Sequence, residues 1–402
     1  LLRQIQQYRV GEKLKLYPRA PAVPHSLPGL PKLQDKDKLA EGKVRNFNPE
    51  TEFEPEQLAE VKVLEVIKGG IQRGIQLLLC EVLKAPTRTL PGDSYESFDA
   101  GLKVVLKVFD HIFFPPAAIW DTLHRDMKDH ERADSLLCGE SNAFWHLYDK
   151  GLTGHPHPAP QYHGSWAMQF HIGHPPDIRL RCVGAILMEY IDGDSIENIC
   201  SRESADDSDD ESLAFLRFPS PQDGKSVMYF KGRSARLKVF RRLIDGCASF
   251  LHKGFNRNTF LPRDIFLTLG NKGVNLQEPR VVFLDYTYCV VWSDTLMSKT
   301  GRADEYDSEF PKVPSEYLLH LHPLERLPRP PHPAWKFSSV SYFYHLTGWF
   351  PHGWLNRQVN FKNWLEEEFG KDHEKYSRHE TLVHVLERAI DEAKREYLAD
   401  TG

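Results

Sequence analysis

From Val61 onward the apolar positions fall into short runs, "VKVLEVIKGG", "IQLLLCEVL" and "GLKVVLKVFDHIFF", separated by "KGG" and "TLPGDSYESFDAG". Runs this short, rich in Val, Ile and Leu and bounded by Gly, Pro and Asp, predict three consecutive strands in an antiparallel meander. The spacing then changes. In "DSLLCGESNAFWHLYDKG", Leu137, Glu140, Phe144 and Leu147 recur three and four positions apart and Gly151 stands beyond them, which predicts one helix. "GSWAMQFHI" and "RLRCVGAILMEYI" predict two further strands, the second running into the acidic "MEYIDGDSIENI". Residues 59–190 thus predict a five-stranded antiparallel unit with one helix inserted after the third strand, in an α+β chain.

Residues 191–402 carry a longer period. Leu237, Phe240, Ile244, Cys247 and Leu251 step by three and four along "SARLKVFRRLIDGCASFLHKG", a second helix. After the loop "GFNRNTFLPRDIFL" come the strand run "DIFLTLG", a turn at "NKGVNLQEP" and the strand "RVVFLDYTYCVVW". The aromatics from Trp335 to Trp354 have few basic residues among them, so they predict core of a mainly helical half and not a base-stacking surface. "HETLVHVLERAIDEAKREYL" predicts a closing helix. Two stretches show neither period. Residues 1–58, rich in Pro and charge, predict an extended arm or linker, and the acidic block at about 202–226 predicts a solvated insertion.

Composition narrows the function classes. The chain has 402 residues, 41% hydrophobic and 27% charged, with a net charge of −5, so it has room for a large core and no basic field for nucleic acid. Six cysteines without CxxC spacing predict buried reduced thiols, with no disulfide and no zinc site. No apolar run approaches the roughly 18 residues of a membrane helix, and "LLRQIQQYRV" lacks the apolar block of a signal peptide, which together predict an intracellular protein, cytoplasmic or nuclear, without membrane partners.

Chemistry-bearing residues stand at the ends of these elements. "KGGIQRG" places Gly69, Gly70 and Gly74 in a turn whose backbone can approach an anion closely. Lys107 interrupts the apolar run "VVLKVFD", and a buried ammonium needs a partner. Glu140 shares the helix stripe with Leu137 and Phe144. Asp285 ends the apolar strand "VVFLDYTY".

The order of these motifs resembles the protein-kinase-like superfamily, over residues roughly 59 to 300, and within it a fungal branch related to the aminoglycoside and choline phosphotransferases. The resemblance implies a bilobal fold with ATP and Mg²⁺ in the cleft. It makes "KGGIQRG" the phosphate-covering turn, Lys107 the cation for the α- and β-phosphates, and Glu140 its pair. "ILMEYIDG" is then the hinge, with backbone at Glu189, Tyr190 and Ile191 facing adenine. Asp285 holds metal, although Tyr286 and Thr287 replace the family's Phe and Gly. In "GFNRNTFLPRDIFL", Pro262 and Ile265 set a register in which Asp264 takes the place of the metal-binding Asn, Arg257 the His and Thr259 the catalytic Asp. A Thr hydroxyl cannot act as a general base near neutral pH, which is worth about 10²–10⁴-fold in rate. Asn258 can orient a hydroxyl without deprotonating it.

The resemblance therefore implies an ATP- and Mg²⁺-binding protein with a degenerate catalytic loop, a pseudokinase or a weak phosphotransferase with nucleotide and a protein partner as ligands. Two alternatives stay open: an active kinase acting on a protein or small-molecule hydroxyl, and an interaction module without nucleotide. "HIGH" at 171–174 and "LMSKT" at 296–300 imitate aminoacyl-tRNA synthetase signatures, but "HIGHPPDIRL" runs into two prolines and a strand, not a helix. The histidines of "GHPHPAPQYHGSWAMQFHIGH" fit neither HExxH nor zinc-finger spacing and read as loop residues.

Overall fold

A computed structural model describes residues 6–26, 30–88, 95, 97–116, 125–173, 177–199, 214–218, 226–230, 232–257, 260–271, 274–295, 298, 327–333, 358–370 and 374–377, with single positions at 343, 345, 346, 349, 388, 395 and 399. The chain divides into two compact units, one of residues 1–154 and 161–190, the other of residues 155–160 and 191–402. Both contain strands and helices, so the chain is α+β.

The first unit is a closed barrel of six strands and not the five-stranded sheet predicted. Its strands are β1 (Lys13–Pro18), β2 (Ala59–Lys68), β3 (Gln76–Lys84), β4 (Lys103–Phe109), β5 (Tyr162–Ile172) and β6 (Arg179–Glu189), in the order β1-β2-β3-β4-β6-β5. The additional strand comes from the segment read as an arm. β1 pairs with β2 through Leu14↔Val61 and with β5 through Tyr17↔Ala167, which closes the sheet on itself and removes both edges. Its sequence "KLKLYP" does alternate, with Leu14 and Leu16 buried between exposed lysines, but the prolines that follow hide the period.

Strand alternation sorts the side chains. Val104, Leu106 and Val108 of β4 join Leu14, Leu16, Val61, Val63, Leu78, Cys80, Trp166, Met168, Ala185 and Leu187 inside the barrel. The intervening Lys107 therefore points outward, between backbone partners Leu77 and Ile186. Against this outer face lies α1 (Asp129–Asp149), which starts five residues before the predicted run, with Asp129 and Glu131 in its first turn and the Glu131 carboxylate accepting the Lys128 N–H at 3.0 Å. Gly151 ends it in the left-handed region at φ 67°.

α1 sits close on the sheet at Gly184 of β6. A Cβ there would lie 2.1 Å from Leu137 Cδ2. Gly184→Ala is expected to destabilise the protein by about 1–3 kcal/mol, as overpacking does. Leu137→Ala in the same chain should recover part of that loss, and urea titrations of the two single variants and the double variant check the coupling.

The second unit is built on α3 (Gly232–His252), preceded by the short α2 (Ile196–Ile199) and followed among the described residues by α4 (Gln358–Phe369). Phe240 of α3 lies edge-on to Phe343 at 4.7 Å and stacked on Trp364 of α4 at 5.3 Å. Phe343 and Trp349, described members of the aromatic run, are buried, in keeping with a core. Beside the helices, β7 (Asp194–Ser195) pairs with β11 (Ile265–Asn271), which pairs with β12 (Val274–Phe283), while β10 (Phe255–Asn256) pairs with β13 (Val290–Val291). Among the described residues of the acidic block, β8 (Ala214–Phe218) pairs with β9 (Ser226–Phe230). "AFLRF" and "SVMYF" are apolar islands beside the charged run. The predicted closing helix falls almost wholly outside the described residues. Among the described residues, no helix is long and apolar enough to cross a membrane.

Candidate functional site

The first unit brings together Lys107 and Glu140. Lys107 Nζ donates to Glu140 Oε1 at 2.6 Å, with the two side chains 7% and 0% exposed. β4 aims the lysine outward, α1 carries the glutamate down onto it, and the close approach at Gly184 sets the height of the helix over the sheet. The pair is thus held from both sides by packed backbone.

The far end of α1 is pinned by the segment read as a linker. Asp134 is the hub: its Oδ2 accepts from Arg45 Nε at 3.0 Å and Arg45 Nη2 at 2.8 Å, and lies 3.1 Å from His25 Nε2. Ser135 Oγ donates to the His25 carbonyl at 3.0 Å, and Arg19 Nε donates to the Arg45 carbonyl at 2.6 Å. Burial pushes the Asp134 carboxyl up, but the hydrogen bonds and charges of His25 and Arg45 outweigh it and hold the group below the ordinary carboxylate value. His25, Asp134 and Cys138 also offer metal-competent atoms within 4.8 Å of one another. The chemistry there suits an ion-pair hub better: Arg45 already occupies the carboxylate, and burial pushes the Cys138 thiol up to about 12, away from the thiolate a metal requires.

A second anchor lies at Asp110, after β4. Tyr8 donates its hydroxyl to Asp110 Oδ2 at 2.9 Å, Arg181 Nη2 stands 3.3 Å from the same oxygen, and Arg181 also donates to Gln7 Oε1 at 2.7 Å. Neither anchor has a sequence signal, because partners such as Tyr8 and Asp110, His25 and Asp134, and Arg45 and Asp134 lie 102, 109 and 89 residues apart along the chain.

The glycine turn links β2 to β3. Gly70 and Gly74 have φ of 110° and 72°, a conformation that only glycine adopts without strain. The turn is filled from within. Gln76 Oε1 accepts the Gly70 N–H at 2.6 Å, Gln76 Nε2 donates to the Gly74 carbonyl at 2.5 Å, and the Gly74 N–H donates to the Phe113 carbonyl at 2.9 Å. A Cβ at Gly69 would stand 2.8 Å from Gln76 Oε1, so that glycine makes room for the carboxamide. At the other end of the barrel, the Glu189 N–H donates to the Gln161 carbonyl and Glu189 Oε2 accepts the Gln161 N–H, both at 2.9 Å. Glu189 is the last residue of β6, Tyr190 ends the first unit, and Ile191 opens the second.

In the second unit, Asp264 and Asp285 stand at the same end of the β11–β12 hairpin. Ile265 pairs with Phe283, and the Leu284 N–H donates to the Asp264 carbonyl at 3.0 Å. Asp264 closes a 3₁₀ turn that Pro262 opens, and its side chain is 16% exposed. Asp285 Oδ1 accepts the Thr287 N–H at 2.9 Å, which fixes the carboxylate over the turn. Arg257 is buried with its guanidinium 4.7 Å from the Phe283 ring centre and 5.5 Å from that of Tyr286, and it donates to the Asp285 carbonyl. Asn258 and Thr259 lie outside the described residues. Arg257 therefore supports the backbone that carries Asp285, a role the sequence did not reveal because the two are 28 residues apart.

No family model matches the chain, and no curated protein matches it. Among solved structures it is similar to the Rio2 kinase–ADP/Mg²⁺–phosphoaspartate complex from Chaetomium thermophilum, with a TM-score of 0.30 and 12% identity over 84% of this chain and 72% of that one. That likeness is too low to carry an assignment.

Proposed function

We propose that the chain is a protein-kinase-like ATP- and Mg²⁺-binding protein, a pseudokinase or a weak phosphotransferase. The observation that carries this reading is the buried Lys107–Glu140 pair. Two charges taken out of water stabilise a fold no better than apolar residues of the same volume, so a buried pair is poorly explained by stability alone. A lysine held rigidly in this way offers a fixed cation to a phosphate chain.

The donor sets fit the implied ligands unequally. Asp264 and Asp285 offer hard carboxylate oxygens from one hairpin end, the chemistry Mg²⁺ prefers, and would hold the metal that neutralises β- and γ-phosphate charge. The glycine turn fits less well, because its Gly70 and Gly74 N–H groups are already engaged. With Thr259 in place of a carboxylate base, binding is expected to outlast catalysis.

Calorimetric titration with ATP, with and without Mg²⁺, tests the assignment. Mg²⁺ is expected to strengthen binding to the wild type by about tenfold or more, roughly 1.4 kcal/mol. Asp285→Asn keeps an acceptor for the Thr287 N–H but not the charge, and should lose that increment. An equal Mg²⁺ effect in both proteins would remove Asp285 from the metal site.

A further inference from the structure

The turn between β2 and β3 presents a backbone N–H, that of Gly70, that an anion could accept from. Left-handed φ values recur at Gly70 (110°), Gln72 (58°) and Gly74 (72°), and the Gly70 N–H is turned inward onto Gln76 Oε1 at 2.6 Å. The segment "KGGIQRGIQ" carries Lys68 and Arg73 and no acidic residue, so its field also favours an anion. Yet that N–H is occupied by the chain itself. Gln76 is only 2% exposed, and its carboxamide spans the turn from the Gly70 N–H to the Gly74 carbonyl.

We propose that Gln76 is a specificity-determining latch, whose carboxamide oxygen holds the place a phosphate oxygen would take at the Gly70 N–H and so withholds the turn from polyphosphate ligands. This rests on the nucleotide-binding reading for the identity of the ligand, but the latch itself is a property of the turn. A neutral carboxamide and a phosphate oxygen compete for one donor. The ligand must break two or more internal hydrogen bonds before it gains that donor, and a buried carboxamide once displaced needs new partners. Affinity then falls on Lys107 and the metal, and discrimination between long and short phosphate chains is weak.

Gln76→Met keeps nearly the same volume and removes both the acceptor and the donor. The latch predicts that this variant binds inorganic tripolyphosphate, and MgATP, at least about tenfold more tightly than the wild type, with adenosine affinity unchanged. Amide exchange supplies the second readout in the wild-type protein: the Gly70 N–H should be protected without ligand and stay at the same protection when tripolyphosphate or MgATP is added. Equal or weaker tripolyphosphate binding by Gln76→Met overturns the latch. So does a ligand-dependent change in Gly70 exchange in the wild type, which holds even where the variant folds poorly. The two readings separate cleanly: Gln76→Met that gains tripolyphosphate binding while both it and the wild type ignore MgATP keeps the latch and removes the nucleotide reading. MgATP binding that Gln76→Met leaves unchanged does the reverse.

Discussion

Lys107→Met is expected to cost about 3–5 kcal/mol of stability and to abolish nucleotide binding, because it leaves the fully buried Glu140 carboxylate without its 2.6 Å partner. The two effects have different origins and can be separated. Lys107→Met combined with Glu140→Leu replaces the pair by apolar side chains of similar size, and such replacements are close to neutral. The double variant should therefore regain most of the lost stability in a urea titration. It should not regain nucleotide binding, since the cation is still missing. A double variant as unstable as the single one would mean that the pair is primarily structural.

The second large effect is at Asp134. Asp134→Asn removes the charge that meets Arg45 and His25 in a buried setting, and is expected to cost about 3–5 kcal/mol near neutral pH. The pH dependence follows from the depressed carboxyl. A carboxyl whose folded value lies below the unfolded one, about 3.9, contributes fully above that pH, and the contribution disappears as pH falls through the lower folded value. The stability gap between wild type and Asp134→Asn should thus close progressively on acidification below roughly pH 5. A gap that stays constant throughout would place the contribution in packing and not in charge. Because Asp134 ties residues 25 and 45 to the helix that carries Glu140, the variant should also loosen the Lys107–Glu140 pair.

What the sequence made legible was whatever depends on local period. The strands β2 to β6, α1 and α3 announce themselves through spacings of two or of three and four, and Lys107 stands out because it interrupts an apolar run. Glu140 lies on the apolar stripe of its helix, and the kinase-like resemblance pairs it with Lys107. What was hidden depends on partners far apart in sequence. β1 alternates for only six residues before a proline-rich stretch, so nothing local tells a barrel-closing strand from an arm. The clamp of Asp134 by His25 and Arg45 spans 109 and 89 residues. Gln76 was passed over because a single polar residue opening an apolar strand normally faces solvent, whereas here it folds back into its own turn.

The central claim, that this fold holds a nucleotide at Lys107, is tested most directly by thermal unfolding with and without MgATP. A ligand at 100 times its dissociation constant stabilises the folded state by about 2.7 kcal/mol. The wild-type transition is expected to rise clearly and that of the Lys107→Met/Glu140→Leu variant not at all; no rise in the wild type, or the same rise in both, removes the nucleotide from Lys107.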